Sequence, residues 1–209
     1  MAAISYALAA HNEHVELEEL LDLLNEYIRP EDEIVLQLDT TATMEVRRVA
    51  EKYISGTPYR YDVVSYPLNG DFASFKNNLK KNCTRPWIFQ LDADELLHPE
   101  FLQALPQILN DNPTVELFCV PRINTVQGMT EEHIRRWGWR VSEQGWVNFP
   151  DYQTRIIQNS PKIGWANKVH EVIIGHRTHA VLPPEEVYCI LHDKHIARQE
   201  AQNNFYSAI

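Results

Sequence analysis

Apolar positions along the chain follow two different periods. Short, nearly unbroken apolar runs at residues 4–8, 34–38, 61–66, 87–91 and 115–120 predict buried strands. Between them the spacing becomes helical. Leu17, Leu20, Leu21 and Leu24 line one face of a helix over 13–27, ended by Arg29-Pro30. Thr43 caps a second helix whose stripe is Val46, Val49, Ala50, Tyr53 and Ile54, stopped at Gly56-Thr57-Pro58. A third helix over 72–82 turns Phe72, Phe75 and Leu79 inward, and a fourth over 99–109 buries Phe101, Leu102, Leu105, Ile108 and Leu109. Strands alternating with helices through short connections predict an α/β fold: a mostly parallel central sheet with helices on both faces. Ligands bind such sheets at the carboxyl ends of the strands. The turns at 10–13, 39–41 and 92–95 are therefore expected on one edge.

After residue 123 the texture changes. Residues 124–150 are polar, rich in tryptophan and arginine, and lack clear periodicity, which reads as a long functional excursion. Strands are expected at 152–158, 169–174 and 187–191, the last ending in His192-Asp193-Lys194-His195. A terminal helix from Ala197 carries Phe205 and Tyr206. The whole chain, 1–209, is expected to form a single domain.

Composition narrows the class. No apolar run is long enough to span a bilayer, and the first residues lack the basic region of a signal peptide. Cys83, Cys119 and Cys189 are odd in number and widely spaced, so neither a disulfide framework nor a zinc knuckle is expected, and a reducing, cytoplasmic setting fits. A net charge of −10 weighs against general attraction to nucleic acid. Locally, Arg135, Arg136, Arg140 and Arg155 interleave with Trp137, Trp139 and Trp146. That stretch reads either as a grip for a polyanion or diphosphate or as a solvated loop.

The sharpest chemistry lies at the end of the fourth apolar run. Three carboxylates, Asp92, Asp94 and Glu95, fall within four residues. Carboxylates at a strand tip need a compensating cation. Residues two apart in an extended chain point the same way, so Asp92 and Asp94 can face one ion. An all-oxygen pair suits Mg2+ or Mn2+. The competing reading is an acidic turn ahead of the helix at Pro99.

Several landmarks then align in order: Ala7-Leu8-Ala9-Ala10-His11-Asn12-Glu13, Asp39-Thr40-Thr41, Asn69-Gly70-Asp71-Phe72 with Lys76-Asn77, Phe89-Gln90-Leu91-Asp92-Ala93-Asp94-Glu95, Gln153-Thr154-Arg155, Val169-His170-Glu171 and Ile190-Leu191-His192. Together they make most of the chain resemble family 2 glycosyltransferases of the GT-A fold, in a subset with Asp-x-Asp and Val-His-Glu motifs. The sequence departs from that pattern in two places. Threonine replaces the usual serine after Asp39, and Lys76 stands where arginine is typical, which removes a bidentate contact. The chain runs only a short way beyond His192, so a compact enzyme or a trimmed chain is expected.

The resemblance implies roles. Residues 1–123 would bind the nucleotide sugar and 124–209 would form the acceptor side. Asp94 would ligate Mn2+ or Mg2+ directly, with Asp92 helping through the ribose, the metal or a bound water, and His192 as a third ligand. Asp39 would accept a hydrogen bond from the donor's base or ribose; otherwise it is a turn aspartate. The backbone at Ala10 and His11 would line the base pocket. Glu13 stands beside that pocket or simply caps a helix. Lys76 would reach the diphosphate or remain a solvated helix lysine. Arg155 would hold a phosphate or order the Asp-x-Asp loop. Glu171 would be the base that activates an acceptor hydroxyl, with His170 as neighbour or substitute, unless the turn is purely structural. The implied donor is a UDP-sugar in first preference, and the implied acceptor a glycan, with a modified nucleic-acid base or a peptide side chain as alternatives. Two further function classes compete: a nucleotidyltransferase, disfavoured because 9–13 is not a glycine-rich basic loop, and a non-catalytic nucleotide-sugar-binding module, disfavoured by the intact Asp92, Asp94 and Glu171.

Overall fold

The computed structural model describes the backbone of residues 1–207 and the side chains through residue 201. The chain runs β1 (Ile4–Ala10), α1 (His14–Tyr27), β2 (Glu33–Asp39), α2 (Met44–Lys52), β3 (Arg60–Tyr66), α3 (Phe72–Asn82) and β4 (Trp87–Asp92). It continues through β5 (Leu96–Leu97), α4 (Pro99–Asp111), β6 (Leu117–Gln127), α5 (Glu131–Trp137), β7 (Asp151–Gln158), β8 (Gly164–Ala166) and β9 (Val172–Ile174). β10 (His179–Val181), β11 (Ile190–His195) and α6 (Ile196–Ser207) complete it. The side chains of Phe205 and Tyr206, expected in the terminal helix, lie outside the described residues.

Nine strands form one sheet in the order β3-β2-β1-β4-β7-β6-β11-β5, with β10 also pairing β6. β3, β2, β1 and β4 are parallel to one another. β7 enters antiparallel between β4 and β6, and β11 returns parallel to β6. A separate two-stranded sheet joins β8 to β9.

The alternation of side chains along each strand supplies two cores. Ile4, Tyr6 and Leu8 of β1, Ile34 and Leu36 of β2, and Phe89 and Leu91 of β4 pack against α1, α2 and α4. Their neighbours Ala7, Val35 and Ile88 face the other way, onto Leu79 of α3 and Trp165 and Ile173 of the small sheet. Trp165 is thus core, as ordinary packing would have it. Gln90 and Asp92 alternate with Phe89 and Leu91, so they share the α3 face.

Four expectations need correction. The strand expected over 169–174 shortens to Val172–Ile174, because His170 at φ 54° turns the chain ahead of it. β6 extends to Gln127, beyond the predicted end at 120, because pairing with β11 from Arg122 to Gln127 holds polar residues that have no hydrophobic run of their own. The last strand begins at Ile190 rather than 187, since Glu186–Tyr188 forms a 3-10 turn, and it carries His192 within the strand instead of past its end. Residues 124–150 also hold a helix, α5: Thr130 accepts from the His133 amide and His133 reaches back to the Thr130 amide, while Gly138 closes the other end at φ 65°. Among the described residues no helix is long and apolar enough to cross a membrane.

At the amino edge of the sheet, remote from the carboxyl ends of the parallel strands, Glu33 is fully buried. It accepts from Ser5 Oγ at 2.6 Å and from Thr84 N and Oγ1, both at 2.5 Å, and it pairs with Arg60 at 2.7 Å. Burial works against its charge, but the hydrogen bonds from Ser5, Thr84 and Arg60 win and pull its carboxyl from 4.5 down to about 2. A folded value below the unfolded one means the stabilisation is complete above pH 4.5 and is lost as pH falls through about 2. Urea unfolding between pH 5 and pH 2 is expected to lose roughly 3 kcal/mol through this group. Glu33→Gln should flatten that part of the curve; an equally steep acid loss in the variant would contradict the assignment.

Candidate active site

The carboxyl ends of β1, β2 and β4 lie side by side, because these strands pair in parallel with Ala9 opposite both Gln37 and Asp92. The turns that follow are tied together. Ala93 N donates to Ala9 O at 3.1 Å, and Thr43 N donates to His11 O at 2.9 Å. Residues 10–13, 39–41 and 92–95 therefore do gather on one edge.

Asp39 closes β2 with both oxygens engaged. Oδ1 accepts from Thr41 N at 2.7 Å and Thr41 Oγ1 at 2.5 Å, and Oδ2 accepts from Leu68 N at 2.8 Å. Burial opposes its charge, but these bonds hold the carboxyl below its ordinary range. Thr41 Oγ1 also lies 3.2 Å from His11 Nε2, so the two turns touch. Glu13 sits at the cap of α1 and turns its Oε2 back onto the amides of His11 and Asn12, at 2.8 and 3.0 Å. It shapes the turn that bears Ala10 and His11.

The three acids at the end of β4 and just beyond it meet three different environments. Glu95 is fully buried; it accepts from the Asp92 amide at 3.0 Å and pairs with Arg155 at 2.6 Å and Arg122 at 3.0 Å. Asp92 pairs with the same Arg155 at 2.7 Å and accepts from Gln90 Nε2 at 2.9 Å. Desolvation opposes the charge on Asp92, but Arg155 and Lys76 outweigh it and hold the carboxyl far below the usual range. Arg155 also donates to Gln90 Oε1 at 2.5 Å. Its guanidinium is thus the fixed counter-charge under the strand tip. Burial alone would lower its pKa, and Asp92 and Glu95 raise it instead.

Asp94 is different. Its Oδ2 lies 3.1 Å from His192 Nε2 and 3.3 Å from Arg198 on α6. Burial opposes its charge, and His192 draws the carboxyl below the ordinary range. The other nitrogen of His192, Nδ1, is 2.9 Å from Asn124 Oδ1. Asn124 Nδ2 donates to the Asp151 carboxylate at 2.9 Å, which fixes its oxygen toward His192. His192 Nδ1 therefore donates, and Nε2 turns a lone pair toward Asp94 unless it too carries a proton. Two lone-pair atoms so arranged call for a cation between them. A ring oriented by a hydrogen bond on its other nitrogen is also how metal-ligating histidines are held. Asp94 and His192 fit a divalent metal. Among the described residues no group of three or more His, Cys, Asp or Glu side chains is gathered to hold one unaided. Asp92 is committed to Arg155, so the remaining positions would fall to substrate oxygens and water.

On the α3 face, Lys76 pairs with Glu171, both largely covered. The turn carrying His170 and Glu171 is seated on α3 by Asn77, which exchanges hydrogen bonds with Trp165 (2.8 Å from Nδ2 to O, 2.9 Å from N to Oδ1), and by Phe72 N donating to Lys168 O at 2.9 Å. His170 itself has φ 54°. It lies in the loop that joins β8 to β9, and at the open end of that hairpin Gly175 follows β9, where any Cβ would lie 1.8 Å from Lys162 O. Trp137 packs on His133 and Trp139, and Trp146 on Phe149, within the 124–150 segment.

Sequence reasoning missed Arg122, Asn124, Lys194 and Arg198. Lys194 follows His192 on the same face of β11, and burial pulls its ammonium below the ordinary range while Asp94 acts the other way. The strand alternation from His192 to Lys194 was a usable signal; for Arg198, in a polar helix, there was none.

The fold is the GT-A type. A sequence model described as Glycosyl transferase family 2 matches residues 5–174, and the chain belongs to that family. No curated protein sequence matches it. S. aureus TarS 1–349 superposes with a TM-score of 0.65 at 14% identity, over 92% of this chain and 60% of that one. The complex of TarS 1–349 with UDP-GlcNAc gives 0.65 at 15% identity, over 93% and 59%. Mannosyltransferase PcManGT from Pyrobaculum calidifontis, in complex with GDP-Man and Mn2+, gives 0.54 at 19% identity, over 90% and 56%. The chain thus spans less than two thirds of the length of each of these structures.

Removing Arg155 would leave Glu95 buried with Arg122 alone and Asp92 without its partner. Arg155→Ala is expected to cost about 3–5 kcal/mol in urea unfolding at pH 7. A loss below about 1 kcal/mol would show that the arginine is not the counter-charge.

Proposed function

We propose that the protein transfers a sugar from a nucleoside-diphosphate sugar, UDP-linked in first preference, to an acceptor hydroxyl with inversion. The observation that carries this reading is the convergence of Asp94 and His192 at the carboxyl edge of a family 2 sheet. The neighbours bound to UDP-GlcNAc and to GDP-Man with Mn2+ support a nucleotide sugar and a divalent cation. When bound, Mn2+ or Mg2+ supplies Lewis-acid neutralisation of the charge that grows on the departing diphosphate.

The chain's own residues divide the remaining work. Asp94 and His192 hold the cation, and Arg155 keeps Asp92 ionised beside it. The 10–13 and 39–41 turns, braced by Glu13 and Asp39, receive the nucleoside. Lys76 lies on the same face and stands between the diphosphate and Glu171. Glu171 takes the proton of the acceptor hydroxyl as that oxygen bonds to the anomeric carbon and the nucleoside diphosphate leaves. His170 orients that turn or substitutes for Glu171. Residues 1–123 then form the donor half and 124–209 the acceptor half, with the half-buried tryptophans offering platforms to a sugar ring. A glycan acceptor is favoured. The unpaired Cys83, Cys119 and Cys189 support a reducing, cytoplasmic setting.

Thermal shift with a panel of nucleotide sugars and Mn2+ tests donor class without knowledge of the acceptor. A UDP-sugar is expected to stabilise the protein in the presence of Mn2+ and not with EDTA. Asp94→Ala should abolish both that shift and turnover; undiminished activity would refute its role. Glu171→Gln should lose transfer by about 10²–10⁴-fold while keeping donor binding. Normal transfer by that variant would move the base to His170.

A further inference from the structure

Arg198 lies in the first turn of α6 and reaches into the candidate site. Its guanidinium is 3.3 Å from Asp94 Oδ2, 2.9 Å from Glu13 Oε1 and 3.3 Å from Glu16 Oε1. Two residues on, Glu200 Oε1 is 3.5 Å from His133 Nε2 on α5. α6 is therefore strapped across α1, the tip of β4 and α5.

The contact with Asp94 engages the same oxygen that faces His192. An arginine stays charged and has donors only, so it meets that carboxylate as a cation. It takes up a lone pair that a metal ion would need, and it repels a second cation nearby. Unlike Arg155, whose side chain is 5% exposed, Arg198 is 35% exposed. Solvent-screened pairs of this kind are weak and exchangeable. The other end of the contact matters too. Glu13 Oε1 holds Arg198 while Glu13 Oε2 holds the His11 and Asn12 amides, so one guanidinium links Asp94 to the turn that lines the expected base pocket.

We propose that Arg198 is a resident cation that occupies Asp94 in the free protein, so that binding of the divalent metal and release of α6 are one coupled equilibrium. This rests on the metal reading of Asp94 and His192 given above. Linkage then requires that whatever frees α6 raises metal affinity, and that metal frees α6 by the same factor.

The test is calorimetric titration of Mn2+ into the wild type and Arg198→Gln, each saturated with UDP and corrected for the heat of Mn2+ added to UDP alone, paired with amide hydrogen exchange over residues 196–207 with and without Mn2+. Arg198→Gln is expected to bind Mn2+ about tenfold more tightly. Saturating Mn2+ should speed exchange in α6 of the wild type. General field effects are separated by Glu16→Gln with Glu200→Gln. Loss of two negative charges would weaken Mn2+ binding if only the field mattered, whereas loosening α6 should tighten it. Unchanged or weaker affinity in Arg198→Gln, weaker affinity in the double variant, or an α6 that Mn2+ leaves equally protected would overturn the proposal while leaving the metal site standing. Absence of Mn2+ binding by both the wild type and Arg198→Gln, with UDP present and Mn2+ at millimolar concentration, would remove the metal reading and the coupling together.

Discussion

Carboxylates packed at the end of a strand repel one another and lose hydration, so each must meet a cation or a donor. At the tip of β4 those partners come from elsewhere in the chain: Arg155 from β7, Arg122 from β6 and His192 from β11. The strand order makes this possible. β7 runs antiparallel between β4 and β6, which brings Arg155 beside Gln90 and Asp92. The later strands thus complete the sheet and neutralise the edge that the earlier ones build.

That arrangement sorts the three acids by how replaceable their partners are. Glu95 is buried between two arginines and acts as a fixed brace for the Asp92 amide. Asp92 is tied to Arg155 yet remains half-exposed toward the edge. Asp94 faces His192, which can share a metal with it, and an arginine on a terminal helix, which a metal can displace. A motif of two aspartates accordingly contains one anchored residue and one available residue. The proposed chemistry follows from the available one.

Much of this was legible in the sequence. Apolar runs and helical spacing located the first four strands and helices, because each packs apolar side chains against one of the two cores. The convergence of the turns after β1, β2 and β4 followed from parallel topology. What periodicity could not reveal was held by partners instead of by burial. The end of β6 is polar and exists because β11 pairs with it. α5 is a short helix with no buried residue, stabilised by the reciprocal Thr130–His133 cap and by Gly138. The roles of Arg122 and Asn124 depend on contacts with Asp151, Glu95 and His192 that are tens of residues distant in the chain. Lys76 was expected near a diphosphate, and its partner among the protein groups is Glu171, the expected base. Only the folded chain brings these two into contact.

The central claim is that the carboxyl edge of β4 holds a divalent cation through Asp94 and His192. A crystal structure of the protein with UDP and Mn2+, read in anomalous difference density, tests it most directly. The account predicts a single strong peak in contact with both Asp94 and His192, with the nucleotide diphosphate on its open side. Nucleotide bound at that edge with no peak beside Asp94, or nucleotide lodged at the amino edge near Glu33, would contradict it.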